Sequence, residues 1–184
     1  MLKKLIKRFI FKPKPYPSET SKCRPRLARY CQGFGLDIGP GGDPITNHAI
    51  RVDLELPYSS VGQHPVQLGG DASELIWFRD KIFDFVFSSH VLEDFVDTGR
   101  VLREWLRVIK GGGLLILYCP DEQRFRTHCQ KTGQPYNPAH KLPHFSFDWV
   151  KTHLEKIDPT GRMIHNEPHA EIYSWELVWQ RGDG

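Results

Sequence analysis

Short apolar runs alternate with amphipathic stretches along most of this chain. The runs have the length of strands and are nearly continuous, which is typical of strands buried on both faces of a parallel sheet. Strands that alternate with helices favour an α/β fold in which helices cover both faces of the sheet. The predicted strands span residues 34–38, 49–55, 83–89 and 113–119, with a brief strand within residues 65–75.

The amphipathic stretches predict helices around these strands. Residues 98–111 place Val101, Leu102, Trp105 and Ile109 on one face and end in glycines, as helices often do. The remaining predicted elements are helices over residues 23–32, after Asp71 and over 146–157 with Ser146 as N-cap, closing strands over 162–168 and 171–182, and a long polar connection over 120–145.

The length and composition of the chain limit its class. A length of 184 residues, 39% of them apolar, suits one domain with its own core. The four cysteines form no CxxC pair, which favours a reducing cytosol over a disulfide framework. The sequence contains neither 18 consecutive apolar residues nor a signal-like segment, so neither a membrane span nor export is indicated. We therefore expect a cytoplasmic protein of one domain.

The net charge of +3 conceals a basic N-terminus. Residues 1–30 hold ten Lys or Arg against Glu19 alone, a balance of +9, so the remaining residues carry −6. Residues 1–17 place apolar and basic side chains on opposite faces of a predicted helix, which suits a solvated helix, peripheral contact with the inner face of a membrane, or nucleic acid. The acidic balance of the remaining chain makes nucleic acid the least expected partner.

A glycine-dense loop follows the first predicted strand, in the sequence GLDIGPGGDPI. A Walker phosphate loop ends in Gly-Lys-Ser/Thr, and this loop holds no lysine, so that interpretation fails. The dinucleotide pattern GxGxxG matches Gly39 and Gly41, but Pro44 occupies its third glycine position and Asp53 comes too early for its acidic ribose partner. A nicotinamide or flavin site is weakly supported and stays open.

The same loop resembles the first motif of the class I S-adenosylmethionine-dependent methyltransferases, Asp/Glu-x-Gly-x-Gly-x-Gly, here from Asp37 to Asp43. The resemblance continues in order with an acidic residue after the second strand (Asp53), Gly-Asp-Ala at Asp71, FDFVFSSHVLED as the fourth motif and VLREWLRVIKGGGLLILYCP as the fifth. Two positions depart from the family pattern, Asp43 in place of the third glycine and Asp94 in place of a histidine. Five motifs in register make the resemblance specific.

The resemblance implies a fold and a methyl donor. The implied fold is a Rossmann-like, doubly wound α/β domain with a seven-stranded, mostly parallel sheet of order 3-2-1-4-5-7-6, whose seventh strand is antiparallel. The implied donor is S-adenosyl-L-methionine. We expect the basic segment over residues 1–17, then a methyltransferase domain over 18–184 with a substrate-covering insertion at about 120–145.

The motifs also suggest which residues would bind the cofactor. Glycines let backbone groups approach a ligand that a Cβ would exclude, and Asp37 can accept a hydrogen bond from the cofactor's ammonium group. Asp53, or Glu55 in its place, can accept hydrogen bonds from the ribose hydroxyls. The predicted cofactor-binding residues are Asp37, Gly39, Gly41 and Gly42 in the first motif, Asp53 at the ribose, Asp71 and Ala72 at the adenine, and Ser88 near the methionine end.

Methyl transfer from a sulfonium is an in-line displacement, and its catalysis comes mostly from positioning the nucleophile. We expect a small-molecule or glycan acceptor and favour a hydroxyl, which needs a base within hydrogen-bond reach. His90 is the first candidate base by position, followed by His140 and His144 in the polar connection.

Several alternatives stay open. Arg124, Arg126 and Lys141 could meet an anionic acceptor. His140 and His144 have a spacing that zinc sites permit, but no CxxC pair accompanies them, so no metal is expected. The chain could instead methylate nucleic acid, or it could be a cofactor-binding scaffold or partner subunit without catalysis, for which the two departures from the family pattern are the only support.

Overall fold

A computed structural model describes residues 18–54 and 65–184. The predicted basic segment over residues 1–17 and the second ribose candidate, Glu55, lie outside the described residues. Of the helices in the described part of the chain, none is long and apolar enough to cross a membrane.

Seven strands form one sheet within the described residues. They are β1 (Gly35–Ile38), β2 (Ile50–Asp53), β3 (Leu68–Gly69), β4 (Phe83–Ser89), β5 (Ile109–Pro120), β6 (Arg162–Glu167) and β7 (Ser174–Gln180). Their order is β3-β2-β1-β4-β5-β7-β6, and β7 runs antiparallel to both of its neighbours while the pairs from β3 to β5 are parallel. The predicted fold class, strand order and antiparallel last strand are confirmed.

Four α-helices accompany the sheet in the same part of the chain: α1 (Glu19–Leu27), α2 (Thr98–Val108), α3 (Glu122–Thr132) and α4 (Phe147–Ile157). Each begins behind a side chain that accepts a hydrogen bond from a backbone N–H of its first turn, which satisfies a donor that has no partner within the helix. The caps are Ser18, Asp97, Asp121 and Ser146. The N-cap predicted at Ser146 is confirmed.

Three predictions about individual elements are wrong. The polar connection over 120–145 contains α3, whose sequence buries only Glu122, Phe125 and Cys129 and therefore has a weak apolar periodicity. The residues after Asp71 form turns instead of a helix. The helix predicted to reach residue 111 ends at Val108, because the chain enters β5 directly at the next residue.

Helices cover both faces of the sheet, as the apolar runs predict. α2 and α4 pack together on one face, over the larger core. α1 packs on the other face, over a smaller core. Large buried residues of the first core include Trp105, Val150, Leu154 and Trp175, and those of the second include Leu27, Phe85, Phe87 and Ile116.

The connection from β1 to β2 runs through turns over residues 39–49 and contains no helix. α1, which precedes β1 in the chain, holds this loop in place. Arg24 of α1 forms an ion pair with Asp43 and donates to the Pro44 carbonyl at 3.0 Å, and the Ser18 hydroxyl also donates to Asp43. Asp43 therefore attaches the loop to α1, which accounts for a carboxylate where the family pattern expects glycine.

Candidate cofactor and active site

A cleft of about 290 Å³ opens at the carboxyl ends of β1, β2 and β4. Ligands of open α/β sheets bind at this edge, where the strand order changes direction, here between β1 and β4. The cleft brings together six of the predicted site residues and one residue noted as a departure. The six are Gly39, Gly41, Asp53, Asp71, Ala72 and His90, and the seventh is Asp94.

The glycines of the loop serve two different purposes. Gly39 has a φ of +69°, and a Cβ at this position would overlap Val91 Cγ2, so the residue lets the loop pack closely on the chain after β4. Gly41 has a φ of +56°, and among the described residues no heavy atom lies within 4 Å of its Cβ position. Gly42 also has a positive φ, +91°, but it does not line the cleft. Gly41 therefore leaves open space on the side of the cleft.

Asp53, the last residue of β2, places a half-buried carboxylate in the cleft. Its Oδ1 accepts the N–H of Leu54 at 2.8 Å, and its Oδ2 lies 3.4 Å from the N–H of Gly41. Burial raises the pKa of Asp53, and the two backbone N–H groups oppose that rise. The weak bond to Gly41 leaves Oδ2 with capacity to accept a further donor.

Asp71 and Ala72 follow β3 and line the other end of the cleft. The Asp71 carboxylate accepts the N–H of Ser73 at 2.8 Å, which stabilises a turn. The carbonyl of Ala72 accepts the indole N–H of Trp105 at 2.8 Å, so this turn is fixed to α2. The predicted positions of both residues at one end of a ligand cleft are therefore compatible with the structure.

Asp37 and Ser88 are fully buried beneath the cleft and do not line it. Asp37 Oδ2 accepts the N–H of Ile45 at 2.6 Å, whereas Oδ1 has no hydrogen-bond partner among the described residues. Burial raises the pKa of Asp37 to about 7. Ser88 donates its hydroxyl to the carbonyl of Ile38 at 3.2 Å, which ties β4 to β1. Their predicted cofactor contacts stay predictions.

His90 lies directly after β4 with a φ of +55°, a conformation that costs energy for any residue except glycine. Its Nε2 lies 3.1 Å from Ser174 Oγ and 3.5 Å from Glu19 Oε2, and its Nδ1 lies 3.6 Å from Glu93 Oε1. Burial lowers the pKa of His90 to about 4, and the charge of Glu19 opposes this change. The imidazole is therefore neutral at pH 7, and its low pKa makes it a weak base in the absence of a ligand.

Sequence reasoning missed two buried carboxyl groups that lie behind His90. Glu93 Oε1 lies 3.7 Å from Nε2 of His140, and Nδ1 of His140 is hydrogen-bonded to Glu122 Oε2 at 2.8 Å. The backbone N–H of Lys141 donates to the Glu93 carbonyl at 3.1 Å, which holds the two segments together. The only signal in the sequence is the spacing of three residues between His90 and Glu93. The structure thus places His140 in one cluster with His90, Glu93 and Glu122, although His140 does not line the cleft.

His144 lies apart from this cluster. Its ring is exposed and packs against the ring of Trp149 on α4, with the centroids 5.4 Å apart, and it does not line the cleft. In the residues that the structure describes, no group of three or more His, Cys, Asp or Glu side chains is arranged to hold a metal ion. The structure therefore brings two of the three predicted bases together.

The arginines suggested for an anionic acceptor have other partners. Arg124 donates to the carbonyls of Pro168, Glu171 and Ile172 at 2.7 to 3.1 Å, which fixes the turn before β7. Arg126 donates from Nε to Glu122 Oε1 at 2.6 Å. Their guanidinium groups stabilise the fold around α3, so they offer little support for an anionic acceptor.

Asp94 contributes a carboxylate to the cleft at the position where the family pattern has histidine. Its Oδ1 is buried and lacks a hydrogen-bond partner among the described residues, and burial raises its pKa. The carboxylates of Asp53 and Asp94 line the cleft as acceptors for hydroxyl and ammonium groups, and the open side of Gly41 leaves room for a ligand. These acceptors fit a nucleoside that carries a cationic amino-acid end.

Comparisons with known proteins agree with this geometry. Residues 22–117 match the family described as "Methyltransferase domain". A demethylmenaquinone methyltransferase of Streptomyces griseus is 27% identical over 135 residues, which are 71% of this chain and 51% of that protein. The chain therefore spans about half the length of this curated relative.

Solved structures share the fold. A protein of Pyrococcus horikoshii superposes with a TM-score of 0.68 at 18% identity, and the match covers 87% of this chain and 88% of that protein. An S-adenosylmethionine-dependent methyltransferase of Thermotoga maritima superposes with a TM-score of 0.64 at 19% identity, and the match covers 89% of this chain and 87% of that protein. Membership of this methyltransferase family implies S-adenosylmethionine as the methyl donor. Because the family match extends over more than half of the residues, the chain belongs to the class I S-adenosylmethionine-dependent methyltransferases.

Proposed function

We propose that this chain transfers a methyl group from S-adenosylmethionine to a small-molecule or glycan acceptor. The observation that carries the proposal is the set of hydrogen-bond acceptors in the cleft, where the carboxylates of Asp53 and Asp94 and the open side of Gly41 line one cavity. Family membership supports a sulfonium nucleoside at this place, and the incomplete GxGxxG pattern disfavours a dinucleotide.

When bound, S-adenosylmethionine supplies an electrophilic methyl carbon, and its sulfur keeps the electron pair of the broken bond. Asp53 would accept hydrogen bonds from the ribose hydroxyls, and Asp71 with Ala72 would bind the adenine. The loop at Gly39 and Gly41 would allow close approach of the methionyl end. These assignments rest on the positions of the residues around one cleft at the carboxyl edge of the sheet.

The acceptor that we favour carries a neutral hydroxyl. A hydroxyl must lose a proton on methylation, and His90 is the predicted base that lines the cleft and has a neutral ring at pH 7. The engagement of Arg124 and Arg126 within the fold disfavours a phosphorylated acceptor. A glycan or another neutral small molecule is therefore the proposed class.

Titration calorimetry with S-adenosylhomocysteine tests the cofactor site. We expect saturable binding to the wild type and to Glu74→Gln, which changes an exposed carboxylate paired with Arg100 outside the cleft. Absence of binding at high micromolar concentration would refute the proposal. Mass spectrometry of cell extract incubated with isotopically labelled S-adenosylmethionine then identifies the acceptor, and binding without any methylated product would favour a scaffold role.

We also propose that the basic segment over residues 1–17 contacts anionic membrane surfaces. Its support is the pattern of apolar and basic residues in the sequence. Sedimentation with anionic liposomes should decrease when residues 1–15 are removed and when salt is raised. Equal sedimentation of both proteins would contradict this part of the proposal.

A further inference from the structure

Four ionisable side chains form a buried row that leads away from His90 at the edge of the cleft. His90 Nδ1 lies 3.6 Å from Glu93 Oε1, and the same oxygen lies 3.7 Å from His140 Nε2. Nδ1 of His140 is hydrogen-bonded to Glu122 Oε2 at 2.8 Å. Histidine and carboxyl groups therefore alternate from the cleft to the base of α3.

Glu93 is the unusual member of this row. Its side chain is only 1% exposed, and neither carboxyl oxygen has a hydrogen-bond partner in another described residue. A buried carboxyl without a partner is unfavourable, and the fold retains it although an apolar residue would avoid that cost. The backbone of the adjoining His90 is also held at a φ of +55°. Two unfavourable features at neighbouring positions indicate that the site is built for chemistry.

Charged groups lie at both ends of the row. Near the cleft, Glu19 and Lys22 of α1 and Tyr173 before β7 face His90, and Asp94 lies beside Glu93. Burial raises the pKa of Glu93 well above its usual range, and burial also keeps His90 neutral. Burial therefore disfavours the charged forms of Glu93 and His90, whereas the carboxylate of Glu19 favours a positive charge on His90.

At the far end, Glu122 is held as an anion. Burial alone would raise the pKa of Glu122, but hydrogen bonds from Tyr136, His140 and Arg126 outweigh burial and lower it. The carboxylate of Glu122 can therefore stabilise a positive charge on His140. Glu122 thus favours a proton on His140 at the far end of the row.

We propose that the row His90, Glu93, His140 and Glu122 is a proton path that removes the proton of a neutral hydroxyl acceptor, an inference that rests on the proposed function. His90 is the catalytic residue and takes the acceptor's proton at Nε2, the nitrogen now beside Ser174 Oγ. Glu93 Oε1 receives the Nδ1 proton of His90 and gives its own proton to Nε2 of His140. Three protons move one step each, so that the net result is one proton carried from the acceptor to His140. No electrons are transferred, and the imidazolium of His140 ends next to the carboxylate of Glu122.

The distances of 3.6 and 3.7 Å on either side of Glu93 are longer than hydrogen bonds. Contacts of this kind are often long before the reactive complex forms and shorten within it. Glu93 acts through the two histidines and is therefore a positioning residue. Its distinctive property is that one oxygen couples two imidazoles, whereas Glu19 lies near the ring of His90 alone.

Nuclear magnetic resonance of the full chain tests this coupling without an acceptor. With ¹⁵N-labelled histidine and ¹³C-labelled glutamate, we expect the Glu93 carboxyl to ionise above the pH at which glutamate normally does. The ring signals of both His90 and His140 should respond to that one step. In Glu93→Gln, which keeps the shape of the side chain, the step should vanish from both rings. In the matched control Glu19→Gln, the signals of His90 should change while those of His140 keep the step.

Two results would overturn the proton path: rings that titrate without a common step in the wild type, or a common step that survives in Glu93→Gln. The wild-type result stands alone if the variant does not fold. Calorimetry with S-adenosylhomocysteine on the same samples separates this inference from the proposed function. Binding without a common step refutes the path alone, whereas absence of binding refutes the methyltransferase site on which the path depends.

Discussion

Gly39 and Gly41 lie two positions apart in one loop and both have positive φ, yet alanine should have different effects at the two positions. The left-handed conformation costs an alanine about 1–2 kcal/mol at either site. At Gly41 the Cβ has open space, so alanine should add no steric destabilisation to this conformational cost. At Gly39 the overlap with Val91 adds roughly 1–3 kcal/mol of overpacking. Since about 1 kcal/mol shifts the Tm of a chain of this size by roughly 2–4 °C, Gly39→Ala should be the less stable variant by several degrees.

Ligand binding should rank the two variants differently from stability. The Cβ of Gly41→Ala would occupy the open side of the cleft, so we expect the Kd for S-adenosylhomocysteine to rise at least tenfold, or about 1.4 kcal/mol. Differential scanning calorimetry measures the first effect and titration calorimetry the second. Adding Val91→Ala to Gly39→Ala should recover much of the lost stability. Wild-type affinity in a folded Gly41→Ala would show that the loop does not hold the ligand at this glycine.

Three further predictions concern the carboxylates of the site. Asp53→Ala should weaken S-adenosylhomocysteine binding by about 1–3 kcal/mol because the ribose hydroxyls would lose a charged acceptor, and an unchanged Kd in titration calorimetry would contradict this. Burial raises the pKa of Asp37 to about 7, so the folded protein retains a proton that the unfolded chain releases near pH 4. The free energy of unfolding should therefore fall as pH rises from about 4 to 7, by at most about 1.4 kcal/mol per pH unit. Urea unfolding of Asp37→Asn should show a flatter pH dependence, and an equal slope would point to other groups. Asp43→Ala should cost only about 0–1 kcal/mol, because its ion pair with Arg24 is partly exposed, and a loss of ligand affinity beyond tenfold would mean that Asp43 also contacts the ligand.

The sheet could be predicted from the sequence because its evidence is local. The run from Phe83 to Ser89 is mostly apolar, and the strand spans the same residues. The loop glycines follow β1 and Asp53 ends β2, so the order of the parallel strands brings them to one edge. These parts of the site need only the periodicity of the chain and the topology of the fold.

The remaining parts depend on contacts between distant segments, which periodicity does not report. Glu93 is a carboxylate in a motif, and only the packing of residues 140–141 against it shows that it is buried between two histidines. α3 could not be predicted because few of its residues are buried. Phe125 and Cys129 pack in a small cluster with Tyr173, and this leaves only a weak apolar periodicity. The role of Asp43 depends on an ion pair with a residue 19 positions earlier in the chain.

The position of α1 before β1 also determines where the folding unit must begin. A chain cut immediately before β1 would keep all seven strands of the described sheet, but it would expose Phe85, Phe87 and Ile116 on the face that α1 covers. The cut would also remove Arg24 from the glycine loop and Glu19 from the ring of His90. The smallest expression unit with an intact site must therefore include the whole of α1 and its cap at Ser18, upstream of residue 22 where the family match begins.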